Sequence, residues 1–343
     1  MKTQVLTVDP LAPSMPIMAQ AAAVLKAGGL VSFPTETVYG LGADALRADA
    51  VGRIFAAKGR PAENPLIVHV AGVADIEGVA AEWPAVAAKL AARFWPGPLT
   101  LVVRKHRSVP EIVTGGGPTV AIRVPAHPVA QALIRAAGTP IAAPSANAST
   151  HLSATRAEHV LRGLDGRIEL LLDGGPTVGG LESTVLDVTV NPPRLLRPGL
   201  ITPAEIEAAI GKIDAAEAAG SLEIGRDADP AAPLRSPGMM ARHYAPRVPL
   251  ECVAPGDRER IERLCREHRR LGWLKLGAEE IDDACGVFAI EMPREPAAYA
   301  AQLYAALHAL EAANVERIIA TLPPEGDAWL AIRDRLSRAS VPA

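Results

Sequence analysis

The chain has 343 residues and 49% of them are hydrophobic, more apolar material than one core usually takes up, so two domains are expected. Residues 1–207 carry 18 basic and 17 acidic side chains and the remainder 17 and 21, for a formal net charge of -3, so neither half has the basic excess of a general polyanion binder. No run approaches the ~18 apolar residues of a membrane span, the N-terminal MKTQVLTVDPLAPSMP lacks a signal-peptide apolar stretch, and Cys252, Cys265 and Cys285 are odd in number without zinc spacing. A soluble cytoplasmic protein with no resident metal is the expectation.

In chain order, the Ala-rich stretch 18–29 predicts a helix closed by glycine, LVSFPT (30–35) a strand, and AVGRIFAAKG (50–59) a helix capped by Asp49. There follow a strand at 65–70, a helix at 85–95, strands at 99–105 and 119–125, a helix at 128–138 and a strand at 140–146. A helix at 155–164, strands at 168–174 and 183–190, and a helix at 202–211 with Thr202 and Glu205 in capping-box spacing complete this part. Such alternation predicts an α/β domain around one mixed twisted sheet. Residues 212–247 are rich in Ala, Gly, Pro and charge without apolar period, and read as a linker. Beyond it, strands at 248–254, 272–278, 284–292 and 316–323 and helices at 258–270, 299–314 and 327–340 predict a second, smaller α/β domain.

Polar residues gather where apolar strands end, which is where open α/β sheets bind ligands. In FPTETVYGLGAD (33–44), Thr35, Glu36 and Thr37 stand at such an end, and Gly40 and Gly42 let the backbone turn; the block serves either a ligand or a turn. In KGRPAENPLIVHV (58–70), Lys58 and Arg60 leave a helix C-terminus, where they suit either phosphate oxygens or the helix dipole, and His69 lies in an apolar strand. Arg123 interrupts the apolar strand TVAIRVP, and a buried guanidinium needs either a structural or a substrate carboxylate. Ser145, Asn147, Ser149 and Ser153 follow the next strand; Glu182, Ser183 and Thr184 open another in LESTVLDV; Arg197 precedes Pro198 and Gly199; and His243 and Tyr244 sit in SPGMMARHYAP as a lid or an idle tether would. There is no GxxxxGK[ST], no GxGxxG after a strand, no HExxH and no GxSxG, so chemistry by positioning and charge neutralisation is more natural than covalent catalysis.

Taken together, FPTETVYGLG, the KGR of 58–60, the SAN of 145–147, LESTVLDV and RPG closely resemble the L-threonylcarbamoyladenylate synthase family, five blocks in family order over about residues 15–207. SPGMMARHYAP and the residues after it resemble the family's longer, two-domain form. The resemblance implies a YrdC-like twisted mixed sheet flanked by helices at 1–211, a linker or lid at 212–247, and a small Rossmann-like α/β domain at 248–343. It implies the formation of threonylcarbamoyl-AMP and pyrophosphate from L-threonine, bicarbonate or CO2, and ATP. That is the first step toward threonylcarbamoyladenosine at position 37 of certain tRNAs; whether the adenylate is handed directly to a tRNA threonylcarbamoyl transferase complex is left undecided.

Carried over residue by residue, the resemblance assigns Thr37, His69, Arg123 and Ser183 to L-threonine. It assigns Arg60, Asn64, Thr119, Ser145, Ser153, Arg197 and the main chain at Ala143 to ATP, with His243 or Tyr244 reaching the nucleotide when the linker closes. Lys58, Arg60, Ser145 and Asn147 form the charged signature around carbamate and phosphates, and magnesium is expected on the phosphates and water. Two other readings remain open. One is an RNA-binding module, which salt-steep RNA affinity would distinguish; direct tRNA binding is left undecided. The other is a carbamoyl transferase of hydrogenase maturation, which resembles a larger chain with zinc-binding cysteine pairs.

Overall fold

The computed structural model describes residues 2–215, 243–277 and 286–342. Ten strands form the first sheet: β1 (Gln4–Thr7), β2 (Val31–Phe33), β3 (Gly40–Asp44), β4 (Ile67–His69), β5 (Leu99–Arg104), β6 (Thr119–Arg123), β7 (Ile141–Ala142), β8 (Leu170–Asp173), β9 (Thr184–Asp187) and β10 (Arg194–Arg197), in the order β1-β8-β2-β3-β7-β4-β6-β5-β9-β10. The sheet is mixed; β4 and β6 run parallel with His69 opposite Arg123, while β3 and β7 run antiparallel to their neighbours.

Helices cover both faces, as α/β layering requires. On one face α1 (Met15–Lys26) and α5 (Pro128–Ala137) press Met18, Leu25, Val129 and Leu133 onto Val31, Phe33 and Leu172. On the other lie α2 (Ala48–Lys58), α3 (Ala85–Phe94), the one-turn α4 (Glu111–Thr114), α6 (Ala157–Leu164) and α7 (Pro203–Ile210), packing Ile54, Leu90, Val160 and Ile206 against Leu41, Val68, Leu101 and Ile122. The capping box at Thr202 and Glu205 forms as the sequence predicts.

Other expectations are corrected. Asp49 does not cap α2: Arg47 holds the N-cap position, Asp49 lies in the first turn, and the two pair at 2.6 Å, because Asp44 already takes the Leu46 amide at 3.0 Å and starts the helix early. Gly40 and Gly42 do not turn the chain but run inside β3. A Cβ at Gly42 would come within 2.7 Å of Phe33 Cε1 and 2.8 Å of Ile141 Cγ2, so glycine is what lets these strands pack this closely. The strand expected over 140–146 shrinks to two residues, since Pro140 and Pro144 supply no N–H to the ladder.

The second sheet is all parallel, in the order β11-β14-β12-β13, from β11 (Leu250–Val253), β12 (Leu271–Leu276), β13 (Val287–Met292) and β14 (Arg317–Thr321). Its helices are α8 (Arg258–Glu267), α9 (Pro296–Ala312) and α10 (Asp327–Ala339). One core cluster unites Val38, Leu152 and Leu181 of the first unit with Tyr244 and with Tyr299, Leu303 and Leu307 of α9. The two units therefore share buried apolar surface, and α9 and α10 both lie against the first. Of the linker expected at 212–247, residues 216–242 lie outside the described residues. Among the described residues no helix is long and apolar enough to cross a membrane.

Candidate functional site

β4 and β6 end side by side at His69 and Arg123, and the loop 34–39 that follows β2 comes back over their ends. A pocket opens there, lined by Thr37, His69, Arg123, Arg60, Ala143, Ser145, Ser183, Arg197, His243 and Tyr244 among others.

Arg123 is buried: Nε donates to the Gly97 carbonyl at 3.1 Å, Nη1 to Thr37 Oγ1 at 2.9 Å, and Nη2 forms an ion pair with Glu36 Oε1 at 2.7 Å. Thr35 Oγ1 donates its one proton to the Val38 carbonyl at 2.6 Å, so in the 2.7 Å contact between the two hydroxyls Thr37 donates to Thr35. A directed relay runs from Arg123 through Thr37 and Thr35 to the main chain. It fixes the buried loop on the strand end. Burial pushes the Glu36 carboxyl upward, but the Arg123 guanidinium overrides it and holds the group below the ordinary range. Beside this pair, burial and Arg123 bring the His69 imidazole down to about 3, so it is neutral at physiological pH. Its ring stands edge-on to Phe33 at 6.4 Å, and its Nδ1 is buried with no hydrogen-bond partner.

Arg60 follows the left-handed Gly59 that ends α2 and points back along β4. Its Nε donates to the Asn64 carbonyl at 3.1 Å, and its Nη2 to Asn64 Oδ1 at 2.5 Å and to the Pro65 carbonyl at 2.8 Å. Burial brings it to about 10, and it remains a cation at neutral pH. Arg197 at the end of β10 donates from Nε and Nη2 to the Ser183 carbonyl at 3.1 and 2.9 Å and from Nη2 to Ser183 Oγ at 3.2 Å. Ser183 Oγ lies 2.7 Å from Thr100 Oγ1. Three guanidinium groups therefore wall one pocket, an arrangement that favours anions at two or more of its corners.

His243 and Tyr244 complete the lining. The chain here is tied by Ala245 N to the Thr150 carbonyl at 2.9 Å and by His243 N to the Arg338 carbonyl at 3.4 Å. Tyr244 adopts a φ of 58°, a strained geometry for a bulky residue. His243 Nδ1 and the Tyr244 hydroxyl are both buried without a hydrogen-bond partner, and both residues line the pocket.

Residues 23–199 match the family described as Telomere recombination, the Sua5, YciO and YrdC group, and residues 201–341 match Threonylcarbamoyl-AMP synthase, C-terminal domain. The chain is 45% identical to the Threonylcarbamoyl-AMP synthase of Bacillus subtilis over 97% of its own length and 95% of the relative's. To the protein of that name in Pyrococcus abyssi it is 44% identical, over 93% of each. The chain belongs to the threonylcarbamoyl-AMP synthase family. It also superposes on the crystal structure of P. abyssi Sua5 complexed with L-threonine, with a TM-score of 0.88 and 41% identity over 98% of each chain. Family membership places it among enzymes of nucleotidyl-transfer type.

In this synthase-family chain the pocket gathers Thr37, His69, Arg123 and Ser183 with Arg60, Ala143, Ser145, Arg197, His243 and Tyr244. The remaining candidates are not among the residues that line it. Asn64 anchors Arg60, and Asn147 holds its own loop through Nδ2, which donates to the His151 carbonyl at 2.7 Å. Ser153 Oγ donates to Glu182. Thr119 opens β6 at the far end from Arg123; extending the register of Ala121 opposite Ile67 puts it beside Pro65, at the Arg60 end. Lys58 is not a free cation: its buried Nζ donates to the Ser145 carbonyl at 2.6 Å and the Asn147 carbonyl, with Asn147 Oδ1 at 3.4 Å. Burial and Arg60 lower its pKa well below the ordinary lysine value.

Two carboxylates were not singled out by sequence reasoning as anchors. Glu36 engages Arg123, and Glu182 is the hub of a buried cluster, accepting from Ser153, from the Tyr304 hydroxyl at 3.1 Å and from Arg335 Nε at 2.8 Å. Glu36 could have been suspected from its place between two threonines. Arg335 and Tyr304 carry no local signal, because their partner is more than a hundred residues away.

Proposed function

We propose that the protein makes threonylcarbamoyl-AMP and pyrophosphate from L-threonine, bicarbonate or CO2, and ATP, for the threonylcarbamoylation of tRNA at position 37. The observation that carries this reading is the convergence of Arg60, Arg123 and Arg197 on one pocket that also presents Thr37, His69 and Ser183. A reaction that must bring a carboxylate, a carbamate and a triphosphate together needs fixed positive charge on more than one wall.

In this reading Arg123, held in place by Thr37, takes the threonine carboxylate, and the neutral His69 and Ser183 face the rest of the amino acid. The deprotonated threonine amine adds to CO2, or to bicarbonate with loss of water, to give a carbamate. A carbamate oxygen then attacks the α-phosphorus; the new O–P bond forms as the bond to the bridging oxygen breaks, and pyrophosphate departs. Arg60 and Arg197, with Ser145 and the Ala143 main chain, neutralise the phosphates, and the unpartnered Tyr244 hydroxyl and His243 Nδ1 accept or donate to the nucleotide. Asn64, Thr119, Ser153, Asn147 and Lys58 support those groups.

Magnesium would enter on the triphosphate. Its ligands in this reading are phosphate oxygens and water. In the same proposal residues 1–211 form the catalytic domain, 212–247 the linker and 248–343 the second domain, and the adenylate passes to a transferase complex in the cytoplasm.

The test is pyrophosphate release by the purified chain with ATP, magnesium and bicarbonate, comparing L-threonine, L-serine and no amino acid. Release that requires both threonine and bicarbonate is the expected result. Release indifferent to threonine, or none from a folded chain that binds ATP, would sink the proposal.

A further inference from the structure

Arg335 lies in α10 of the second unit, 153 residues along the chain from Glu182, and is fully buried. Each of its three guanidinium nitrogens has a partner: Nε bonds Glu182 Oε2 at 2.8 Å, Nη2 the Pro198 carbonyl at 3.0 Å, and Nη1 the neighbouring Asp334. Its flat face is used as well, with the guanidinium carbon 4.7 Å from the centre of the Tyr244 ring. Three of these contacts reach three separate strips of pocket wall. Glu182 precedes Ser183, Pro198 follows Arg197, and Tyr244 follows His243. The bond to the Pro198 carbonyl satisfies a buried donor, as any buried guanidinium requires; what sets this one apart is that its partners Glu182 and Tyr244 themselves line the pocket and Pro198 adjoins Arg197, which does too.

We propose that Arg335 is a positioning residue for the synthase reaction, the group through which the C-terminal α/β unit sets the spacing of segments 182–183, 197–198 and 243–244 around the substrates. This rests on the functional reading given above. Glu182 is the intermediary: Arg335 and Tyr304 fix its carboxylate, and that carboxylate in turn receives Ser153, so one guanidinium orders four segments distant in sequence. The planar fork is what allows it. A lysine at the same place offers one tetrahedral head and no flat face, and cannot meet Glu182, Pro198 and Tyr244 together.

The test compares full-length Arg335→Lys and Arg335→Gln with the unsubstituted chain. It measures threonine- and bicarbonate-dependent pyrophosphate release, ATP affinity by calorimetry without threonine, and thermal unfolding. A folded Arg335→Lys is expected to lose about 10- to 100-fold in kcat/KM for ATP, the effect of misplacing binding groups by about an ångström. The rise in KM should be larger for ATP than for L-threonine, since Arg197, Tyr244 and Ser153 stand on the nucleotide side and Ser183 alone on the other. A folded variant with unchanged constants for both substrates overturns the proposal. Where Arg335→Gln fails to fold, Arg335→Lys and Tyr304→Phe decide. Tyr304→Phe removes one donor from Glu182 and should act in the same direction by a smaller factor; unchanged constants in both overturn it too. Absence of pyrophosphate release from the unsubstituted chain strikes the functional reading instead, and the calorimetric ATP affinities then still show whether Arg335 shapes the pocket.

Discussion

The Lys58 ammonium donates to the Ser145 carbonyl at 2.6 Å, so the last residue of α2 grips the loop that follows β7. A residue that the sequence presents as a free cation for phosphate is, in the fold, a clamp with its donors turned to main-chain oxygens. The loop it clamps carries Ser145 into the pocket, and the clamp is therefore felt at the site without touching it.

Lys58→Met keeps the buried stem and removes the head. It leaves the Ser145 and Asn147 carbonyls without their donor, at a cost of about 1–3 kcal/mol for each buried acceptor so stranded. We expect a lowered unfolding midpoint in urea together with loss of pyrophosphate release. Unaltered stability with turnover abolished would show that Lys58 acts as a charge on the substrates rather than as the clamp.

How much of this could be read beforehand follows from the range of each interaction. Thr37, His69, Arg123, Ser183, Arg60 and Arg197 stand at or beside strand and helix ends, and polar groups interrupting apolar runs at such places are visible in a single sequence. Their neighbours were harder. In DAWLAIRDRLSRAS nothing local shows that Asp334 and Arg335 will be buried, because Glu182, which meets Arg335, comes from a strand start far upstream, and Asp334 pairs with the same guanidinium. In GLGAD the glycines read as a turn, because nothing local shows that Phe33 and Ile141 will crowd β3. The short strands β1 and β10 sit at the sheet edges and offer too few residues for a period to be seen.

The contact between the two units also hangs on one backbone position. Gly180 has a φ of 73°, and a Cβ there would lie 2.3 Å from the Ala300 carbonyl oxygen and 2.5 Å from Ala301 Cα, both main-chain atoms of α9 that cannot rotate away. Gly180→Ala therefore meets left-handed strain and overpacking at once, and should destabilise the chain by about 1–3 kcal/mol. Because α9 carries Tyr304, activity should drop with it at temperatures where the protein is still folded. A thermal melt indistinguishable from that of the unsubstituted chain would contradict the close backbone approach.

Five buried histidines make stability depend on acid in a definite direction. Burial lowers His69 and His159 to about 3 and His308 to about 4, holds His127 below its ordinary value and brings His243 well below it; His159 and His308 stack at 3.8 Å across the two units. The folded chain thus binds fewer protons than the unfolded one between the unfolded histidine value near 6.5 and these lowered values. Stability from this source is complete above pH 6.5 and is lost as pH falls toward 4, by up to about 1.4 kcal/mol per pH unit for each histidine. Urea unfolding at pH 7.5, 6 and 5 should show a midpoint that drops steadily. A midpoint that is flat over that range would mean that these imidazoles are not held neutral by the fold.

The pair of Arg123 and Glu36 allows structural and substrate roles to be separated. Arg123→Gln alone strands a buried carboxylate, and breaking a buried pair in this way costs about 3–5 kcal/mol. Adding Glu36→Gln removes the stranded charge, so the double variant should regain most of the lost melting temperature. It should not regain threonine: with the guanidinium gone, the carboxylate of the amino acid has lost the cation proposed to hold it, and KM for L-threonine should stay raised by about 10-fold or more, as for a charge-assisted bond worth about 1.5–3 kcal/mol. The measurement is the threonine dependence of pyrophosphate release for both single variants and the double, beside their melting curves. If the double variant recovered threonine affinity along with stability, Arg123 would be the partner of Glu36 and nothing more, and the amino-acid carboxylate would have to be sought at Arg60 or Arg197 instead.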